Sequence, residues 1–391
     1  MARMKNFDIV VVGAGSFGAW TAHFLRAAGL SVLLLDQYGP GNARASSGGE
    51  SRIIRMGYGP DAIYTRMAQR SLDLWRELFA RQKANLFYPT GMLWLAAEAD
   101  DYTAASEHTL REYKIAAEHL SAGEMARRFP QIALENVAWA LWEPGAGVLL
   151  ARRAAQAVVD DAVARGVEYR AAAAQAPLTS FPGAALRCSI ASLATSAGER
   201  VGAGTFVFCC GPWLPKLFPL LLGQRMFVTR QEILFFGPPA GDARFCPPAM
   251  PAWLHHAEQV YGTPDLENRG FKLAFDLHGP AFDPDTSDRT VAPGSAAQAR
   301  DYLARRFPAL REAPLVEARV CQYENSANGD FILDRHPELE NVWIAGGGSG
   351  HGFKHGPAVG EYMAGLIAGT QTPEPRFSIA SQATTQQRAV Y

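Results

Sequence analysis

The alternation of apolar and polar positions divides the chain into elements before any single residue stands out. Residues 8–12 form an apolar run of strand type, as expected of a parallel strand covered on both faces. A helical period follows over 17–28 and stops at Gly29, a residue suited to closing a helix. Residues 32–35 predict a second apolar strand ending at Asp36, which completes a β-α-β unit. Ile63, Met67, Leu74 and Leu78 fall on one stripe and predict a long amphipathic helix over 61–81. Residues 87–95 read as a hairpin around Pro89-Thr90-Gly91, and 149–165 as a further helix. Strands are expected on either side of a turn at 196–200, the second (205–210) breaking at Gly211-Pro212-Trp213. The runs 231–236 and 270–275 suit strands of a separate, more antiparallel sheet. Residues 341–345 form a last apolar strand leading into a glycine-rich stretch at 346–352, and a helix over 357–368 closes the pattern. Strands that feed glycine loops thus stand near both ends. This predicts a dinucleotide domain built from discontinuous segments, with a second domain inserted between them.

Composition narrows the function classes. Of 391 residues 48% are hydrophobic and 19% charged, with 37 basic against 38 acidic side chains, a net charge of −1. That balance excludes intrinsic disorder, and it provides no basic excess for nucleic acid or an anionic membrane. No apolar run approaches the ~18 residues of a membrane helix. Five cysteines and the absence of a secretory leader pattern predict reduced thiols and a cytoplasmic location. Cys209 and Cys210 read as core packing within their strand. The basic residues comprise 31 Arg but only six Lys, at 5, 83, 114, 216, 272 and 354.

Gly13-Ala14-Gly15-Ser16-Phe17-Gly18 is G-x-G-x-x-G placed after a strand and opening a helix. Its first glycine makes the turn, the second admits a diphosphate, and the third allows close helix–strand packing. The helix N-terminus supplies partial positive charge for the phosphates. Asp36, at the end of the second strand, suits a ribose 2′-hydroxyl and disfavours a 2′-phosphate. An adenine dinucleotide is predicted, and this motif alone does not choose between NAD and FAD.

Three further stretches carry a resemblance. They are Ser46-Ser47-Gly48-Gly49-Glu50-Ser51-Arg52-Ile53-Ile54-Arg55, Val320-Cys321-Gln322-Tyr323, and the run 341–354 ending Gly346-Gly347-Gly348-Ser349-Gly350-His351-Gly352-Phe353-Lys354. With the N-terminal fingerprint they resemble the monomeric sarcosine oxidase and N-methyltryptophan oxidase family of D-amino-acid-oxidase-like flavoproteins. The likeness runs in order from residue 8 to about 370 and is weakest over 97–140. It implies an α/β (α+β overall) fold, with a Rossmann-type FAD-binding domain from 1–85, 145–222 and 325–391. An antiparallel-sheet substrate domain would comprise 86–144 and 223–324.

The resemblance also implies residue roles. FAD would be held by Gly13, Gly15, Ser16, Phe17, Gly18, Asp36, Gln37, Arg44, Ser51, Arg52, Gly211 and Trp213. Near the C-terminus, Gly347, Gly348, Ser349, Gly350, Gly352, Phe353 and Lys354 would complete that site. Cys321 matches the position of a covalent 8α-thioether to the flavin, although alone it reads as a core cysteine. Arg52 matches an arginine beneath the flavin. Arg55 and Lys354 match the ligands of the substrate carboxylate, for which a guanidinium fork is well shaped. Lys272 matches the lysine used with O₂, where a cation stabilises developing negative charge, although alone it reads as a strand lysine. Tyr261 and Tyr323 match pocket walls. His351 and His355 have metal-like spacing but no third ligand, so no metal is expected.

Two departures bear on the substrate. Gly48 and Asp276 stand where sarcosine oxidases carry histidines; the first suggests extra room and the second replaces a possible cation with an anion. The expected activity is oxidation of a secondary, N-alkyl α-amino acid to an imine, with O₂ reduced to H₂O₂. A fructosyl amino acid oxidase and a dehydrogenase using another acceptor are the alternatives. A small amino acid and O₂ are the expected partners, with no nucleic acid or membrane, for a monomer or weak homo-oligomer.

Overall fold

A computed structural model describes residues 6–177 and 188–387; Lys5 lies outside them. Its organising element is a seven-stranded sheet. The strand Asn6–Val12 lies at the centre, parallel to Val32–Asp36 on one side and Arg200–Phe208 on the other. Glu168–Ala171 extends one edge in parallel, and Val342–Gly346 then Ile332–Arg335 extend the other. Val10, Val11, Leu33 and Leu34 have no exposed surface, because helices cover this mostly parallel sheet. The helices Ser16–Ala27 and Gly356–Ile367 pack together on one face, so the two glycine loops that precede them converge at one end of the sheet.

A second, eight-stranded sheet is antiparallel except where Met92–Ala96 runs parallel to Ala252–His255. Its longest pair is Met226–Phe236 against Leu315–Ser326, with Gln231 opposite Cys321 and Thr229 opposite Tyr323. Side chains alternate across a strand, so Cys321 and Tyr323 leave one face while Gln322 and Glu324 leave the other. The helix Pro293–Arg306 covers part of this sheet, where Tyr302 stacks on Trp253 with centroids 5.8 Å apart.

The expected hairpin over 87–95 does not form. Phe87–Tyr88 pairs instead with Gly147–Leu149, which also pairs with Arg52–Ile54 in a small third sheet. Met92–Ala96 is buried at every position and lies between two strands of the large sheet. The local turn is present, but both edges of Met92–Ala96 are taken by Ala252–His255 and Trp139–Glu143, which leaves none for Phe87–Tyr88. The helix expected from 149 begins at Ala151, because Leu149 belongs to this third sheet. Among the described residues no helix is long and apolar enough to cross a membrane.

Candidate active site

A cavity of about 300 Å³ opens where the two glycine loops meet. Gly13, with φ of 103°, turns the chain out of the first strand. A Cβ at Gly13 would collide with the Cys209 carbonyl oxygen, and one at Gly18 with that of Gly13. This close contact brings the start of the helix Ser16–Ala27 to the cavity wall, with Gly15, Ser16 and Phe17. Asp36 and Gln37 also line the cavity. The Asp36 carboxylate accepts from the backbone N–H groups of Ala14, Tyr38 and Gly39 at 2.7–2.8 Å. Burial nevertheless pushes its pKa up, against the pull of those bonds.

Gly211, Trp213, Arg52, Tyr323, Gly348, Gly350, Gly352 and Phe353 also line the cavity. The remaining residues proposed for the cofactor stand off its wall. Gly18 is at the helix–strand contact, and Arg44 is exposed, with its guanidinium 5.5 Å from the Tyr38 ring. Gly347 and Ser349 shape the second loop from behind, where the Ser349 Oγ donates to the Gly347 carbonyl at 2.9 Å. The Cys321 Sγ is 3.7 Å from an Arg52 guanidinium nitrogen. Arg52 also donates to the Ser46 and Ser51 carbonyls at 2.7 and 2.9 Å, which fixes it between the strand and the first loop.

A charged and aromatic cluster adjoins Tyr323. Arg55 is buried between Tyr58 and Trp94, with its guanidinium carbon 4.4 and 4.6 Å from their rings, and it donates to the Gly57 carbonyl. The Lys354 ammonium lies 5.1 Å from the same Tyr58 ring and donates to the His351 carbonyl at 3.1 Å. Burial, reinforced by the Arg55 charge, pushes the Lys354 pKa well below the usual lysine range. Asp276 and Glu143 oppose that shift. Tyr323 donates to the Asp276 carboxylate at 3.1 Å, and its hydroxyl lies 3.3 Å from that of Tyr261. Burial raises the Tyr261 pKa to about 12, so the phenol stays neutral. On the neighbouring strand, buried Lys272 donates to the Ser51 carbonyl at 3.0 Å and lies 5.4 Å from the Tyr261 ring. Its pKa falls to about 7 through burial and the nearby Arg52 charge.

Several residues here escape a reading by motif. Glu143 is completely buried and accepts from the Met56 N–H at 2.8 Å and from Trp94 Nε1 at 2.7 Å. It thereby pins the backbone beside Arg55. Glu324 and Ser47 line the cofactor cavity, and the Ser47 Oγ accepts from the Ser16 N–H at 3.1 Å. Cys209 and Cys210 do pack into apolar clusters, but both also form part of the cavity wall. Burial raises the Cys209 pKa to about 12. His355 Nε2 and His351 Nδ1 face the Tyr58 hydroxyl at 2.8 and 3.3 Å. Among the described residues no group of three or more His, Cys, Asp and Glu is placed to hold a metal. Gly48 opens no room: a Cβ there would collide with the Asn42 carbonyl oxygen, so its missing side chain serves a close backbone contact.

The cavity fits a flavin dinucleotide. A helix start without a side-chain cap suits a diphosphate, Asp36 presents a carboxylate at the cavity wall, and the second glycine loop leaves no space for side chains beside Tyr323. The model of the family described as FAD dependent oxidoreductase matches residues 8–366. The chain belongs to that family. Monomeric sarcosine oxidase from Streptomyces avermitilis is 32% identical over 376 residues, spanning 95% of this chain and 96% of that protein. Two solved structures share the fold of this chain. L-proline dehydrogenase from P. horikoshii has a TM-score of 0.82 at 20% identity, covering 96% of this chain and 98% of that one. Fructosyl peptide oxidase from E. terrenum has a TM-score of 0.80 at 22% identity, covering 95% and 92%.

Proposed function

We propose that this oxidoreductase converts a secondary, N-alkyl α-amino acid to the imine and passes the electrons to O₂, giving H₂O₂. The observation that carries the reading is the pair of buried cations, Arg55 and Lys354, held against one Tyr58 ring. Two desolvated cations close together repel; Asp276 and buried Glu143 offset part of that repulsion, and an anionic ligand offsets more of it. A carboxylate answers both, and sarcosine oxidase, the relative named above, acts on an N-alkyl amino acid. FAD, when bound, supplies the acceptor for the electron pair and passes it to O₂. Arg55 and Lys354 fix the carboxylate, and this orientation contributes much of the rate. Tyr261 and Tyr323 form an aromatic wall that excludes water and meets the N-alkyl group. Asp276, bonded to Tyr323, places negative charge near the amine.

In this reading 1–85, 145–222 and 325–391 form the FAD-binding domain and 86–144 and 223–324 the substrate domain, with Arg55 and Lys354 reaching the substrate from the first and Cys321 reaching the flavin from the second. A peroxide-coupled screen of N-methyl amino acids, cyclic imino acids, fructosyl amino acids and primary D-amino acids tests the substrate class. N-alkyl or cyclic secondary amines should dominate. Turnover of primary D-amino acids alone would sink the assignment. The room at Gly48 expected for a sugar is absent, so fructosyl substrates should react poorly.

The proposal includes a thioether between Cys321 and the 8α-carbon of the flavin, whose formation would release the thiol proton and one 8α proton and would pass the electron pair through the flavin to O₂. Such a bond fixes the ring and raises its potential as an electron acceptor. Acid precipitation should leave the flavin colour in the pellet, and Cys321→Ser should release it to the supernatant. Colour in the wild-type supernatant would remove the covalent assignment.

A further inference from the structure

We infer that Glu324 clasps the hydroxyl-bearing ribityl chain of FAD, as a second carboxylate on the cavity wall besides Asp36. Glu324 leaves its strand on the face opposite Tyr323 and lines the cofactor cavity. Three loops meet at its carboxylate. The Ser46 hydroxyl donates to Oε2 at 2.6 Å, the second glycine loop brings Gly348 against Oε1, and Gly211 lies beside it. A Cβ at Gly348 would stand 2.7 Å from Oε1, so this glycine leaves the space that the carboxylate fills. Burial pushes the Glu324 pKa up, opposed by Ser46, the Gly348 N–H and the Arg52 charge.

A partly buried acid is costly unless donors meet it. A carboxylate offers roughly four acceptor positions. Ser46, Gly348 and the backbone N–H of Glu324 itself are directed at this one, and Glu324 keeps accessible surface where it lines the cavity. The chemistry of the group the cavity receives selects the partner. A flavin dinucleotide carries hydroxyls on both sides of its diphosphate, on the adenosine ribose and on the ribityl chain. The helix start at Ser16 suits the diphosphate, and a carboxylate would repel it. Asp36 and Glu324 both present carboxylates at the cavity wall and match the two polyol segments. This inference rests on FAD binding and is independent of which amine is oxidised.

The test is FAD affinity, read by flavin fluorescence on the full chain carrying Cys321→Ser so that attachment cannot mask exchange. Glu324→Ala should raise Kd about 10- to 100-fold, the range for losing a hydrogen bond to a charged group. FAD analogues lacking single ribityl hydroxyls distinguish direct contact from a structural role. At least one should bind the Glu324-containing protein more weakly than FAD, yet bind Glu324→Ala no worse than FAD does. Glu324→Gln retains an acceptor oxygen and should show an intermediate loss, and it carries the comparison if the alanine variant does not fold. FAD binding by Glu324→Ala within twofold of the parent would overturn the proposal. So would every analogue weakening the variants as much as the parent.

Discussion

Lys272→Met is expected to slow reoxidation by O₂ about 100-fold or more, while reduction by substrate stays within a few-fold. Lys272 is buried on the strand Phe271–Phe275, anchored by the Ser51 carbonyl and facing Tyr261. A preorganised cation in a water-poor site stabilises negative charge developing on O₂, and losing one such group typically costs ~10²–10³ in rate. Methionine keeps the length and apolar bulk, so the strand should hold. The pH profile supplies a second readout. The Lys272 pKa falls to about 7 because burial and Arg52 both disfavour its charge. The ammonium is therefore lost as pH rises through that value, and negative charge on a bound reduced cofactor would move the loss upward. kcat/KM for O₂ should fall with rising pH in the wild type and lose that dependence in Lys272→Met. Stopped-flow mixing of the reduced enzyme with air-saturated buffer measures it; wild-type reoxidation in the variant would remove Lys272 from the mechanism. Slow reoxidation of the wild type itself would favour a dehydrogenase.

The parts of the site legible in the sequence are those whose chemistry is local. Gly13, Gly18 and Asp36 sit within one β-α-β unit, where the turn, the close approach and the acid follow from spacing. The second glycine loop is likewise a single segment. Other features depend on contacts that no local pattern announces. Glu143 supports the backbone next to Arg55 from 87 positions away, and Lys272 finds its carbonyl partner 221 positions away. Glu324 follows Tyr323 directly, yet its face of the strand becomes meaningful only once Ser46 and Gly348 are seen against it. Gly48 shows a different limit: sequence reveals that a side chain is small, while the structure reveals that a backbone carbonyl requires it. The misread hairpin at 87–95 has the same origin, since turn residues are local and strand partners are not.

The other large effect is expected at the paired cations. Lys354→Met should raise KM for the amino acid about 100-fold and abolish competitive inhibition by simple carboxylates. Arg55→Lys should do so more strongly, because it loses a planar fork stacked between Tyr58 and Trp94. Arg55→Lys is preferable to a neutral variant, because Glu143 is fully buried close by. Leaving a buried acid without its counter-charge costs about 3–5 kcal/mol and would confuse binding with unfolding. The pH dependence separates the roles. Burial and Arg55 hold the Lys354 pKa well below its usual range, so without ligand its proton is lost as pH rises. A bound carboxylate favours the ammonium, and affinity should therefore weaken with rising pH. Deprotonation of the substrate amine works in the opposite direction, so kcat/KM should pass through a maximum. Lys354→Met should remove the descending limb attributable to Lys354 and leave the ascending one. Equal turnover of an N-methyl amine lacking the carboxylate, or an unchanged KM in Lys354→Met, would show that these cations do not hold the substrate.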